Sequence, residues 1–129
     1  MLFNTKKDGT TGTGRLGEGM ALRHLQERGY EILATNYRKR FGEVDIVARW
    51  RGTIVFVEVK TRHSRRYGVP QEAVDERKQR QLARIAQDYL AAHHLENAPA
   101  RFDVIAVTLD REDQPARIDH IDNAFELSE

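Results

Sequence analysis

Two periodicities divide the chain. Apolar residues recur at helical spacing from Arg15 to about Arg28, with Gly29 placed as a stop, and again from about Asp75 to His93, where Leu82, Ile85, Ala86 and Tyr89 form one stripe. Elsewhere the pattern is that of strands. Tyr30 to Tyr37 reads as a short strand, Glu43 to Arg49 and Thr53 to Thr61 as a hairpin around Trp50-Arg51-Gly52, Phe102 to Leu109 as a further strand, and Arg117 to Ile121 as a last, shorter one. His63 to Pro70 reads as a loop, and residues 4 to 14, rich in Gly and Thr and without an apolar side chain, as a mobile tail. The order αβββαβ plus a short strand predicts one α/β domain over residues 14–122, between a tail of residues 1–13 and an acidic end of residues 123–129.

A length of 129 residues agrees with one core and one domain. No apolar run approaches the roughly 20 residues that cross a bilayer, so no membrane partner is expected, and the first residues lack the apolar segment of a secretory signal. The expected compartment is the cytoplasm. The absence of cysteine excludes disulfides, thiolate metal sites and cysteine nucleophiles. The net charge of +1 hides a division of sign: residues 38 to 84 carry a surplus of +7 and residues 110 to 129 one of −5. A basic middle suits a polyanion, although a solvated surface explains many such runs.

The hairpin carries the candidate chemistry, because carboxylates interrupt runs otherwise suited to burial. Alternate residues of a strand share a face, so Glu43 and Asp45 go with Val47, and Ile54, Phe56, Glu58 and Lys60 go together. A two- or four-residue turn centred on Arg51-Gly52 sets Asp45 opposite Glu58 and Glu43 opposite Lys60. Like charges so opposed lie about 5 Å apart at Cβ and need a cation. Lys60 is one; a hard divalent ion, which accepts one or two carboxylates with waters and phosphate oxygens, meets the need better. On the first helix Glu18 shares a face with Ala21, Leu22 and Leu25, and Gly17 and Gly19 would permit close backbone approach. The plain alternative is a structural ion-pair cluster or a solvated sheet face.

At these residues the sequence resembles a family of small bacterial proteins, the YraN family. The resemblance runs from about Gly14 to Leu109 and rests on Gly14-Arg15-Leu16-Gly17-Glu18, Asn36-Tyr37-Arg38, Gly42-Glu43-Val44-Asp45-Ile46, Val55 to Arg62, Tyr67-Gly68 and Glu72-Ala73-Val74. That family looks like a branch of the restriction-endonuclease-like nucleases, similar to archaeal Holliday junction resolvases, whose motif is Asp followed by Glu-x-Lys. The resemblance implies a central mixed β-sheet flanked by helices. It makes Asp45 the motif aspartate, Glu58 and Lys60 the Glu-x-Lys pair, and Glu18 the first-helix glutamate, with Val44 standing where the founding pattern has Pro.

The resulting expectation is a Mg²⁺- or Mn²⁺-dependent endonuclease acting on DNA, branched or junction structures included. Asp45, Glu58 and Glu18 would hold the metal and Lys60 would assist. Substrate contacts would fall to Arg62, Arg65, Arg66, Tyr67 and Gln71, and to Arg77, Lys78, Arg80 and Arg84 on the second helix. A homodimer follows by analogy with resolvases. A non-catalytic nucleic-acid-binding module that keeps the fold is the main alternative, and an interaction protein is a third. The five histidines show no zinc spacing and read as surface residues; Trp50 reads as a partly packed turn residue.

Overall fold

The computed structural model describes residues 11–63 and 74–125. Helix α1 (Thr11–Glu27) precedes strands β1 (Glu31–Lys39), β2 (Gly42–Trp50) and β3 (Thr53–Arg62); helix α2 (Glu76–Ala92) leads to β4 (Ala100–Leu109) and β5 (Pro115–Phe125). The strands form one sheet in the order β1-β2-β3-β4-β5. Strands β3 and β4 run parallel, and every other neighbouring pair is antiparallel. A parallel pair needs a crossover, and α2 provides it. The fold is thus the α/β arrangement that the order of elements implied, with the mixed sheet that the resemblance implied.

Local chemistry explains the ends of the elements. Gly29, at φ 90°, closes α1, with its N–H on the Gln26 carbonyl at 3.1 Å and the Tyr30 N–H on the Leu25 carbonyl at 3.0 Å. This pair of bonds satisfies the last carbonyls of the helix, and only glycine adopts that φ without penalty. Asp75 caps α2 by accepting the Lys78 N–H at 2.9 Å. Arg51 and Gly52, both left-handed, make the two-residue turn between Trp50 and Thr53.

Each face of the sheet buries one helix. On one side Leu82, Ile85, Ala86 and Tyr89 of α2 pack on Val47, Ile54, Phe56, Phe102 and Val104; on the other, Ala21 and Leu25 of α1 pack on Ile46, Val55, Val57, Ile105 and Val107.

Three boundaries differ from the sequence reading. Helix α1 starts at Thr11, so residues 11–14 of the expected tail are helical. Strand β1 continues to Lys39, whose partner across the next turn is Gly42. Strand β5, far from short, spans 11 residues and takes in part of the expected acidic end. The Phe125 ring stacks on Phe102 at 4.8 Å, and the buried Asp103 carboxylate accepts the Asn123 N–H at 2.9 Å. These two contacts hold residues whose local sequence reads as polar. Residues 1–10 of the expected tail, and the loop from Ser64 to Pro70, lie outside the described residues. Among the described residues no helix is long and apolar enough to cross a membrane.

Candidate active site

The β2–β3 ladder has the register that the turn dictates, from Trp50 opposite Thr53 to Ile46 opposite Val57, and there it stops. Asp45 therefore does not stand opposite Glu58 in the ladder, nor Glu43 opposite Lys60. Instead, Asp45 Oδ2 accepts the Val59 N–H at 2.7 Å, while β3 continues beside β4 as far as Arg62. The break coincides with an irregularity in β1 and β2. Asn36, left-handed at φ 52°, is passed over between the pairs Thr35–Ile46 and Tyr37–Val44. Val44 and Val47 both pack on the α2 side while Ile46 packs on the α1 side, so β2 changes its facing at Asp45. The expected common face of Glu43, Asp45 and Val47 is broken there, and Glu43 pairs with Arg38 at 3.4 Å.

Asp45 and Glu58 are both buried, at 5% and 6% exposure. Burial of a carboxylate costs several kcal/mol unless charge and hydrogen bonds compensate. Glu58 is balanced by two ammonium groups on Oε2, Lys60 Nζ at 3.5 Å and Lys78 Nζ at 3.6 Å. Lys60 is on the same strand; Lys78 comes from the first turn of α2. Both contacts are longer than the roughly 2.7–2.9 Å of a good charge-assisted hydrogen bond, so they supply charge more than directed bonding.

Glu18 comes near from α1. Its Oε1 lies 3.5 Å from Asn36 Nδ2, beside the irregular part of β1 across from Asp45. Gly17 sets this approach, since a Cβ there would fall 1.8 Å from Thr61 Oγ1, whereas one at Gly19 would meet nothing within 4 Å. Among the described residues, no three His, Asp or Glu side chains are gathered closely enough to hold a metal. The sequence brings Glu18, Asp45, Glu58 and Lys60 to one region, then, but not into an assembled three-carboxylate set.

The remaining expected contacts divide. Arg62 Nε and Nη2 are buried with no hydrogen-bond partner among the described residues, as is Oγ1 of Thr108, its partner across the parallel ladder. Arg65, Arg66, Tyr67 and Gln71 lie outside the described residues. Arg77, Lys78, Arg80 and Arg84 line a cleft against the β1–β2 turn. The other wall of that cleft includes Arg38, Lys39 and Arg40, none of which the sequence singled out as a substrate contact.

A second polar cluster was missed. Asp103, on the α1 face, accepts His120 Nε2 at 2.8 Å and Arg101 Nε at 3.0 Å, and His120 Nδ1 meets His24 Nε2 at 3.0 Å. His24 and His120 are therefore not surface residues. Because the carboxylate accepts from His120 Nε2, the neutral His120 ring accepts at Nδ1 and His24 donates. Burial, then Arg28 and His120, pushes His24 below the ordinary imidazole range. Burial alone would raise Asp103, but the bonds from His120, Arg101 and the Asn123 N–H outweigh it and hold its carboxyl below the usual range. Trp50, as expected, is partly packed, stacked on Tyr30 at 5.1 Å.

The fold and site define a small mixed-sheet α/β protein with two buried carboxylates on adjacent strands, Asp45 held by a backbone N–H and Glu58 flanked by two lysines. Its sequence matches the model of the uncharacterised protein family UPF0102 over residues 17–107, and the chain belongs to that family. It is 53% identical over 116 residues to a UPF0102 protein of Syntrophus aciditrophicus (strain SB), covering 90% of each chain. It is 50% identical over 121 residues to one of Trichlorobacter lovleyi, covering 93% of this chain and 94% of the relative. A UPF0102 protein of Caldanaerobacter subterraneus subsp. tengcongensis is 42% identical over 121 residues, with 93% and 99% covered.

Proposed function

We propose that this protein is a divalent-cation-dependent hydrolase of nucleic-acid phosphodiester bonds, with DNA as the substrate. The observation that carries this reading is the pair of buried carboxylates, Asp45 and Glu58, set where β2 parts from β3, with Lys60 and Lys78 beside Glu58. An all-oxygen donor set of two carboxylates suits Mg²⁺ or Mn²⁺, which keep several waters and take phosphate oxygens as further ligands. Asp45 and Glu58 would hold the ion, with Glu18 in reserve beside Asn36. When bound, the cation supplies Lewis acidity toward the phosphoryl oxygen and the attacking water.

The chain's own groups do the rest. The Val59 N–H fixes the Asp45 carboxylate, so its position is set by backbone. Lys60, about a third exposed, is placed to offset negative charge that develops on the phosphoryl group. The resemblance to the restriction-endonuclease-like nucleases, carried by Asp45, Glu58 and Lys60, supports the same chemistry.

The test is a cleavage screen over branched, flapped, single-stranded and duplex substrates with Mg²⁺ and Mn²⁺. Activity that disappears in Asp45→Asn and Glu58→Gln is expected. A second reading, a binding module without catalysis, is favoured by the two lysines that already neutralise Glu58; nucleic-acid binding with no cleavage under any condition would decide for it.

A further inference from the structure

The cleft between α2 and the β1–β2 turn has a volume of about 890 Å³, and its lining is one-sided in charge. Arg77, Arg80 and Arg84 supply one wall. Arg38, Lys39 and Arg40 supply the other, from a segment more than thirty residues earlier in the chain. Among the described lining residues Glu43 is the single acidic one, and it pairs with Arg38. Cations facing one another across a cleft repel, and low-dielectric walls focus their field, so the arrangement favours an anion between them.

The turn wall is firmly held. The Arg84 guanidinium covers the Phe41 ring at 4.5 Å, Tyr37 donates to Asp88 at 2.6 Å, and Lys39 reaches the same carboxylate at 3.7 Å. Gly42 completes the fit, since a Cβ there would stand 3.4 Å from the Gln81 carbonyl oxygen. From Arg77 to Arg84 the α2 wall runs about 10 Å along the helix axis, enough to meet about two successive phosphates of one strand. Among the described lining residues Phe41 is the one aromatic side chain, and one face of its ring is covered by Arg84, so the described walls offer cations far more than stacking surface. Lys78 both lines the cleft and lies 3.6 Å from Glu58, so an occupant of the cleft passes beside the buried carboxylates.

We propose that this cleft seats a nucleic-acid strand by its phosphodiester backbone, without regard to base sequence, with the β1–β2 turn cations as the second wall. The inference rests on the hydrolase reading for what happens at Glu58, but not for binding itself.

The test is metal-free. In EDTA, fluorescence anisotropy follows two labelled DNA duplexes of unrelated sequence over a range of salt. Both duplexes should bind alike. The paired substitution Arg40→Glu with Arg77→Glu, both side chains exposed, should weaken binding at least tenfold and flatten the plot of log affinity against log salt by about two. Arg23→Glu with Arg111→Glu, equally exposed but away from the cleft, should change neither value. Arg40→Gln with Arg77→Gln gives the same comparison should the charge reversals disturb folding. Wild-type affinity in the cleft variant overturns the proposal, as does preference for one sequence or tighter binding of poly-glutamate than of DNA. Divalent-dependent cleavage that survives unchanged in the cleft variant would sink the cleft alone, whereas cleft binding without cleavage would sink the hydrolase reading alone.

Discussion

The Asp45 carboxylate accepts the Val59 N–H at 2.7 Å, one residue beyond the buried Glu58. A side chain thus replaces a ladder bond where β2 leaves β3, and one group has two tasks: closing the backbone account of the sheet and presenting a carboxylate.

These tasks separate by mutation. Asp45→Asn keeps a carbonyl oxygen for the Val59 N–H, so denaturant midpoints should stay near wild type while divalent-dependent cleavage is lost. Asp45→Ala leaves that N–H unpaired and should cost about 1–3 kcal/mol in urea unfolding. Equal stability of the two variants would argue against the bond.

Lys60 and Lys78 share the neutralisation of Glu58. Replacing both with Met strands a buried carboxylate and should cost about 3 kcal/mol. Adding Glu58→Gln should restore most of it, read as a coupling energy in a mutant cycle. Additive losses would mean that the lysines act elsewhere.

Gly17 and Gly19 offer an internal contrast. On propensity alone Ala should stabilise α1 at either position, by up to about 1 kcal/mol. Gly19→Ala should do so. Gly17→Ala should instead destabilise by about 1–3 kcal/mol, because its Cβ would collide with Thr61 and force α1 off the sheet. Thermal melts of the two variants shifting in opposite directions would bear this out.

The His24–His120–Asp103 cluster makes stability pH-dependent. His24 has a folded-state pKa below its ordinary 6.5, so the unfolded chain takes up the proton first. Its contribution is complete above 6.5 and declines as the pH falls from there toward the folded value. Asp103, held below the ordinary 3.8, adds a second loss as acid protonates it. The unfolding free energy should therefore fall in two stages on acidification, and His24→Gln should remove the first. A flat profile between pH about 7 and 5 would exclude the His24 contribution.

Much of this was legible in the chain. The α2 stripe, the Gly29 stop and the Arg51-Gly52 turn are local, since helical period, left-handed backbone and two-residue turns are fixed by residues within a few positions of each other. The turn also fixed the register as far as Ile46 opposite Val57, but not the opposition of Asp45 and Glu58 that an unbroken ladder would have given. Other features could not be read locally. Asp45 leaves the ladder where Asn36, on another strand, is left-handed; β5 extends to where Phe125 meets Phe102 and Asn123 meets Asp103; and His24 meets His120 from 96 residues away.

By itself, then, the sequence determined the elements, the hairpin register and the residue types able to hold a cation or a phosphate. The tertiary structure decided which of them meet: it gave Glu58 a second ammonium from α2, set Glu18 on Asn36 rather than in a three-acid group, and faced Arg38, Lys39 and Arg40 toward α2 across a cleft. The physical reason is range. Backbone preference and hydrophobic period act over a few residues, while charge compensation and close packing are settled only when distant segments come into contact.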